Sequence, residues 1–474
     1  MKSLKLTMAT LLLSLIAPLA FGHSAMDDLF KSPKEIIATI SPFDYHLQML
    51  DLRSKDIEVL GVDLNNNKID VYLNRMEFQN LLMNGYDLEV KESLDYIMRL
   101  DEDYQSPAEI EQFLKDIHGR FPEITKLEII GKSVEGRNIY ALKISDNADL
   151  NELEPSILFN SMHHAREVMT PEIGIDIIDY LTSKYGQDQQ VTNWIDQNEI
   201  WVLPMLNVDG NNKVWNGSNM WRKNTQGGFG VDINRNYPYK WGGCNGSSGM
   251  KFSDTYRGPQ AASEPETNAL MGLVSKIKPV FSISYHSYSE LVLYPYGCQG
   301  EKTRTHSIIA GIGKELGTLL NYKPGTPWEI LYGVDGGDID WMYTIEQTIP
   351  FVLEVSSSSQ GFQPAYATWR NKTVERNRAG WQLLLNKLNG PGVRGVLRDQ
   401  NGLAINSFQV KVFQQVNGVK TLLQEYRGNP NGSFHIVLNP GAHELEFIAG
   451  SRIPLKASLT IANSRIDLAP VVQN

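Results

Sequence analysis

The chain has 474 residues, 42% of them hydrophobic and 21% charged, with a formal net charge of -10 at pH 7. This describes a globular protein of several domains, and so acidic a chain is a poor nucleic-acid binder. Its two cysteines, Cys244 and Cys298, are too few for a disulfide framework or a cysteine metal site, and beyond the N-terminus no run reaches the apolar length of a membrane span.

Residues 1–22, MKSLKLTMATLLLSLIAPLAFG, have two lysines, an apolar run and small residues at Ala20 and Gly22. They read as a secretory signal cut before His23, which places the mature chain outside the cytoplasm, secreted or periplasmic. Export permits Cys244 and Cys298 to pair, and spacing alone leaves that pairing open. Residues 23–103 hold the alternating runs DIEVLGVDL and KIDVYL, a helical stretch RMEFQNLLMNG and a further strand YDLEVK, together a small α/β unit followed by the linker IMRLDEDYQSP. Asp63, Asn65 and Asn67 have the spacing of a calcium loop but lack its glycine and closing glutamate, so they read as a turn.

Ser106, Pro107 and Glu109 form a capping box with proline at the first helical position, opening a helix that buries Ile110, Phe113, Leu114 and Ile117. Here the central region, 104–390, begins. Strand-like KLEIIG, NIYALKIS, SILFNSM, EIWVLPMLN and VFSISY alternate with helices, which argues for a mixed sheet with helices on both faces. After SILFNSM, Thr170 and Pro171 are expected to open a helix with Ile173, Ile177 and Leu181 on one face, closed by Gly186.

Between that strand and helix lies a polar loop at a strand end, where α/β folds place their sites. In it His164 and Glu167 form an HxxE pair suited to zinc, with His163 a competing choice on spacing. The candidate third ligand is His286, at the end of a later strand-like run. Two near ligands and one distant one leave the fourth zinc position open for water, the catalytic arrangement.

With LNVDG, MWRKN, VDINRN, HSYSELVLYPYG, LYGVDGGDIDW and FVLEV following HHAREV in order, the region Tyr104 to Leu388 resembles the zinc metallocarboxypeptidases of the funnelin type. These are the carboxypeptidase A/B group and its bacterial, carboxypeptidase T-like relatives. The resemblance implies an eight-stranded mixed α/β sheet, one zinc ion per chain, and His164 rather than His163 as ligand beside Glu167 and His286. It implies Glu354 as general acid/base and Arg222 as the cation on the scissile carbonyl. Asn234, Arg235 and Arg166 are then contacts for the substrate's terminal carboxylate, Tyr332 closes over it, and Asp232 orients the first zinc histidine. It also implies that residues 23–103 are a propeptide covering the site until an activating protease removes it. Val355-Ser356 follows Glu354 where pancreatic members have a leucine-arginine pair, a departure that bears on specificity.

Ile339 falls where family members differ between an apolar and an acidic pocket floor, so hydrophobic or aromatic C-terminal residues are expected; Asp335 or Asp338 facing the pocket gives dual specificity instead. Gly390-Pro391-Gly392 reads as a junction, and VRGVLRD, FQVKVFQQ, GSFHIVL, AHELEFIAG and KASLTIA make 391–474 an all-β sandwich that resembles a transthyretin-like domain. The whole reads as a secreted, monomeric zinc carboxypeptidase acting on peptide or protein C-termini, without nucleic-acid or membrane partners. Alternatives are a zinc amidase or deacylase on the same scaffold and a non-catalytic binding protein.

Overall fold

The computed structural model describes residues 29–30, 35–42, 44–92 and 100–472. The expected signal segment and the start of the linker, through residue 99, lie outside the described residues. Four strands, β1 (Glu35–Ile40), β2 (Glu58–Asp63), β3 (Lys68–Asn74) and β4 (Leu88–Glu92), form an N-terminal sheet in the order β2-β3-β1-β4, with helices Tyr45–Ser54 and Arg75–Met83. The second helix starts as its sequence dictates: Asn74 caps it and Glu77 reaches back to the Asn74 amide.

The central sheet comprises β5 (Thr125–Lys132), β6 (Asn138–Ile144), β7 (Ser156–Ser161), β8 (Glu199–Leu203), β9 (Phe281–Ser287), β10 (Leu291–Leu293), β11 (Lys323–Gly325) and β12 (Ile349–Val355), in the order β11-β10-β12-β9-β7-β8-β6-β5. It is the expected mixed eight-stranded sheet: β12, β9, β7 and β8 run parallel, and β5, β6 and β10 pair antiparallel. The parallel strands β7, β8 and β9 are buried at every position, because helices such as Met169–Lys184 and Tyr366–Leu388 cover their faces. The capping box at Ser106 and Glu109 is present. The helix after β7 departs from expectation. It starts at Met169, and the Thr170 hydroxyl donates to the Glu167 carbonyl (2.8 Å) instead of capping.

Seven further strands follow Gly390: β13 (Gly392–Val396), β14 (Gln409–Val416), β15 (Val419–Arg427), β16 (Ser433–Val437), β17 (Gly441–Ile448), β18 (Leu455–Ile461) and β19 (Arg465–Leu468). They form a three-stranded and a four-stranded sheet around a core that includes Val393, Val410, Phe434, Leu445 and Phe447. Among the described residues no helix is long and apolar enough to cross a membrane.

Candidate metal centre

Strands β7, β9 and β12 end side by side, with Asn160 opposite Ser284 and His286 opposite Glu354. The chain leaves β7 through Met162 (φ 61°) and β12 through Ser356 (φ 66°), left-handed positions that non-glycine residues occupy only where the surroundings hold them. Backbone bonds from Asn207 N to the Met162 carbonyl (3.0 Å) and from Ser289 N to the Ser356 carbonyl (3.0 Å) do so here. The loop between β7 and its helix is pinned by the LNVDGN segment, whose Asn207 and Asn211 side chains donate to the His163 and Ala165 carbonyls, each at 3.0 Å. Gly210 is required there, because a Cβ would lie 2.5 Å from the Lys223 carbonyl.

That loop brings His164 Nδ1 to 2.8 Å from Glu167 Oε1, and His286 Nδ1 lies 3.1 Å from both His164 Nδ1 and Glu167 Oε2. The three side chains are buried and offer one donor atom each, all within 4.8 Å of one another. Zinc held tetrahedrally at its usual ligand distances separates neighbouring donors by about 3.3 Å, close to what is seen. Two ring nitrogens 3.1 Å apart also cannot both carry a proton, and a cation between them removes that conflict. The residues therefore fit the metal. His163 does not join them: its ring nitrogens meet Tyr237 Oη (2.9 Å) and Ser284 Oγ (3.3 Å).

The outer nitrogen of His164 donates to Asp232 Oδ1 (3.1 Å), while Arg222 grips Asp232 Oδ2 through Nε (3.2 Å) and Nη2 (2.9 Å). One carboxylate thus orients both a candidate ligand and a buried cation. Glu354 is partly exposed at the end of β12 beside His286, and burial pushes its carboxyl up to about 8 against the pull of His286. Arg235 donates to the Gly246 carbonyl (3.0 Å) and lies 5.9 Å from the Tyr332 ring centroid. Asn234 accepts from Asp338 N (2.9 Å) and turns its amide nitrogen toward His286 Nε2 (3.3 Å). Ile339 is buried in an apolar cluster with Leu291, Leu331 and Val352. Asp335 is fully engaged, accepting from Cys244 N (2.9 Å), Gly246 N (2.8 Å) and the Ser247 hydroxyl. Asp338 accepts from Ile339 N through Oδ1 (2.8 Å), and its buried Oδ2 has no hydrogen-bond partner among the described residues. Cys244 and Cys298 form a disulfide in this same wall.

The N-terminal unit reaches into the site at points the sequence did not reveal. Glu58 on β2 accepts from Arg166 Nη2 (2.6 Å), and the guanidinium also packs 4.2 Å from the Phe362 ring centroid. Gly61 lies against Tyr288, whose Cε2 would be 2.5 Å from an added Cβ. Asp70 accepts from Tyr288 Oη (3.0 Å) and Ser358 Oγ (2.8 Å), and Arg53 donates to the Gly333 and Asn245 carbonyls beside Tyr332. Glu58 and Gly61 sit in a strand whose alternation looked like ordinary packing, and only docking exposes their second role. A cavity of about 1100 Å³ remains between this unit and the 244–255 loop, opening onto Arg222 and Tyr332.

Residues 110–379 match the family model described as zinc carboxypeptidase. The chain is 33% identical over 285 residues to a zinc carboxypeptidase of Saccharothrix mutabilis subsp. capreolus, covering 56% of this chain and 65% of that relative. It is 29% identical over 318 residues to carboxypeptidase B2 of Rattus norvegicus, covering 62% of this chain and 74% of the relative. The fold is similar to the crystal structure of carboxypeptidase A from Helicoverpa armigera, with a TM-score of 0.65 and 20% identity over 74% of this chain and 96% of that one. Since the family model spans more than half of its length, with a buried histidine-glutamate-histidine cluster that fits the metal inside the match, the chain belongs to the zinc carboxypeptidase family.

Proposed function

We propose that this protein is an exported zinc carboxypeptidase that removes single residues from peptide and protein C-termini and prefers hydrophobic or aromatic ones. The observation that carries the reading is the joint arrival of His164, Glu167, His286 and Glu354 at the ends of three adjacent parallel strands, with the Asp232–Arg222 pair behind them. His164, Glu167 and His286 hold one zinc ion, which when bound supplies Lewis acidity to water and to the scissile carbonyl. Glu354 takes the proton from the attacking water and passes it to the leaving amine, a role that suits a carboxyl at the end of β12 opposite His286. Arg222, already fixed by Asp232, stabilises charge developing on the carbonyl oxygen. Arg235, Asn234 and Arg166 receive the terminal carboxylate, and Tyr332 closes over it.

Ile339 forms the apolar floor of the specificity pocket, and the commitment of Asp335 to the 244–247 loop supports a hydrophobic over a dual preference. Residues 23–103 act as a propeptide, with Glu58 placing a carboxyl group on Arg166 as a substrate terminus does. An activating protease then cuts in the linker after this unit. Residues 391–474 are a transthyretin-like module in a folding or interaction role. The test compares kcat/KM for blocked peptides ending in Phe, Arg and Phe-amide, using protein freed of residues 23–103. The expected order puts Phe first and the amide near zero. Arg above Phe overturns the pocket reading, and equal turnover of acid and amide makes the enzyme an amidase. Removing zinc with a chelator abolishes turnover and adding it back restores it.

A further inference from the structure

The two candidate histidine ligands are held differently. His164 has the customary outer partner, Asp232, at 3.1 Å. His286 does not: its outer nitrogen meets the amide nitrogen of Asn234, whose own oxygen is taken by Asp338 N. With Nδ1 turned to the metal, His286 Nε2 carries the ring proton and faces another donor, so among the described residues no hydrogen bond of that kind fixes the ring plane. What lies against the ring is His163, stacked at 5.3 Å between centroids with 20° between planes and fully buried.

His163 is itself immobilised. The Ser284 hydroxyl donates to Asn160 Oδ1 (3.0 Å), which leaves its oxygen to accept from His163 Nδ1–H at 3.3 Å. Nε2 is then the acceptor for Tyr237 Oη–H at 2.9 Å. Asn207 also grips the His163 carbonyl, and the same turn carries His164. The ring is therefore anchored at both nitrogens and through its backbone, while the face it presents belongs to His286.

We propose that His163 is a positioning residue whose stacked ring sets the plane in which His286 presents Nδ1 to zinc, replacing the outer acceptor that His286 lacks among the described residues. This rests on the zinc reading above. Two variants test it in the trimmed protein: His163→Leu, which removes the plane, and Tyr237→Phe, which keeps both rings but removes one anchor. Zinc affinity is measured by competition with a chelator, and ligand geometry by the visible spectrum of the cobalt-substituted protein. His163→Leu is expected to bind zinc about 10–100-fold more weakly, with a shifted cobalt spectrum, as removal of an orienting neighbour does in metal sites. Tyr237→Phe is expected to move both readouts in the same direction by less, and it decides the matter alone if His163→Leu does not fold. Wild-type affinity together with a wild-type cobalt spectrum in the folded variants overturns the proposal and leaves the zinc assignment standing. A wild-type protein that takes up no zinc, or a His286→Ala variant that binds it unchanged, overturns both.

Discussion

The N-terminal unit and the C-terminal sandwich are appended to the same central sheet but joined to it by different chemistry. The N-terminal unit shares an apolar core with Leu291, Leu293, Leu331, Ile339 and Val352, and sends charged groups to Arg166 and Tyr288. The sandwich meets the central region away from those residues. There Arg465 donates to the Gly390 carbonyl (3.2 Å), Asn431 to the Glu152 carbonyl (2.9 Å), and Arg427 N to Gln347 (3.1 Å). If Arg166 receives the substrate's terminus as proposed, a module that packs a carboxyl group against it competes with substrate. One that adds Val437 to the central core and borrows the Glu152 and Gly390 carbonyls can influence stability and leave the chemistry alone.

If catalysis belongs to the central region, it survives loss of both appendages and fails with one side chain. Glu354→Gln in the trimmed protein should lower kcat by about 10²–10⁴-fold, the usual worth of a positioned proton carrier, with zinc content and KM little changed. A KM effect as large as the kcat effect breaks that assignment.

Docking is probed next by Gly61→Val in the full-length chain, where the new side chain meets the Tyr288 ring and the Ser289 hydroxyl. Overpacking of about 1–3 kcal/mol should raise the undocked fraction roughly 5–150-fold and move full-length kcat/KM toward the trimmed value. Unchanged full-length turnover means that the unit does not limit access.

A smaller, graded effect is expected from pH. Burial and the neighbouring Asp254 carboxyl hold Glu58 well above its ordinary 4.5 in spite of Arg166. The docked form therefore keeps a proton that the free unit releases. Its stabilisation is complete below that ordinary value and is lost as pH rises through the raised one. The ratio of full-length to trimmed kcat/KM, which cancels the enzyme's own profile, should climb with pH, and Glu58→Gln should flatten the climb. A ratio that falls as pH rises reverses the sign and refutes the linkage.

Smallest of all, Arg465→Ala and Asn431→Ala should each change stability by no more than about 1–2 kcal/mol and leave kcat/KM where it was. A tenfold loss of activity from either would show that the sandwich reaches the site after all.

Much of this molecule was legible in its sequence because the signals are local. Periodicity marked most of the central strands, and the Ser106 capping box marked its helix, since both depend on residues within one turn or one pleat. The order of motifs from HHAREV to FVLEV marked the candidate site residues, because each motif is a strand end or loop with its own backbone demands. The strand Glu35–Ile40, with its helix Tyr45–Ser54, and the hairpin partner Val419–Arg427 were not foreseen. Their pairing depends on neighbours distant in the chain and their patterns are weak. Tertiary structure alone decided that His163 stands behind His286, that Cys244 and Cys298 pair, and that Asp335 is spent on the 244–247 loop. It alone decided that Glu58 lies on Arg166. In each case the sequence supplies a group able to bond, while its partner is chosen by which distant strands and loops the fold brings within reach.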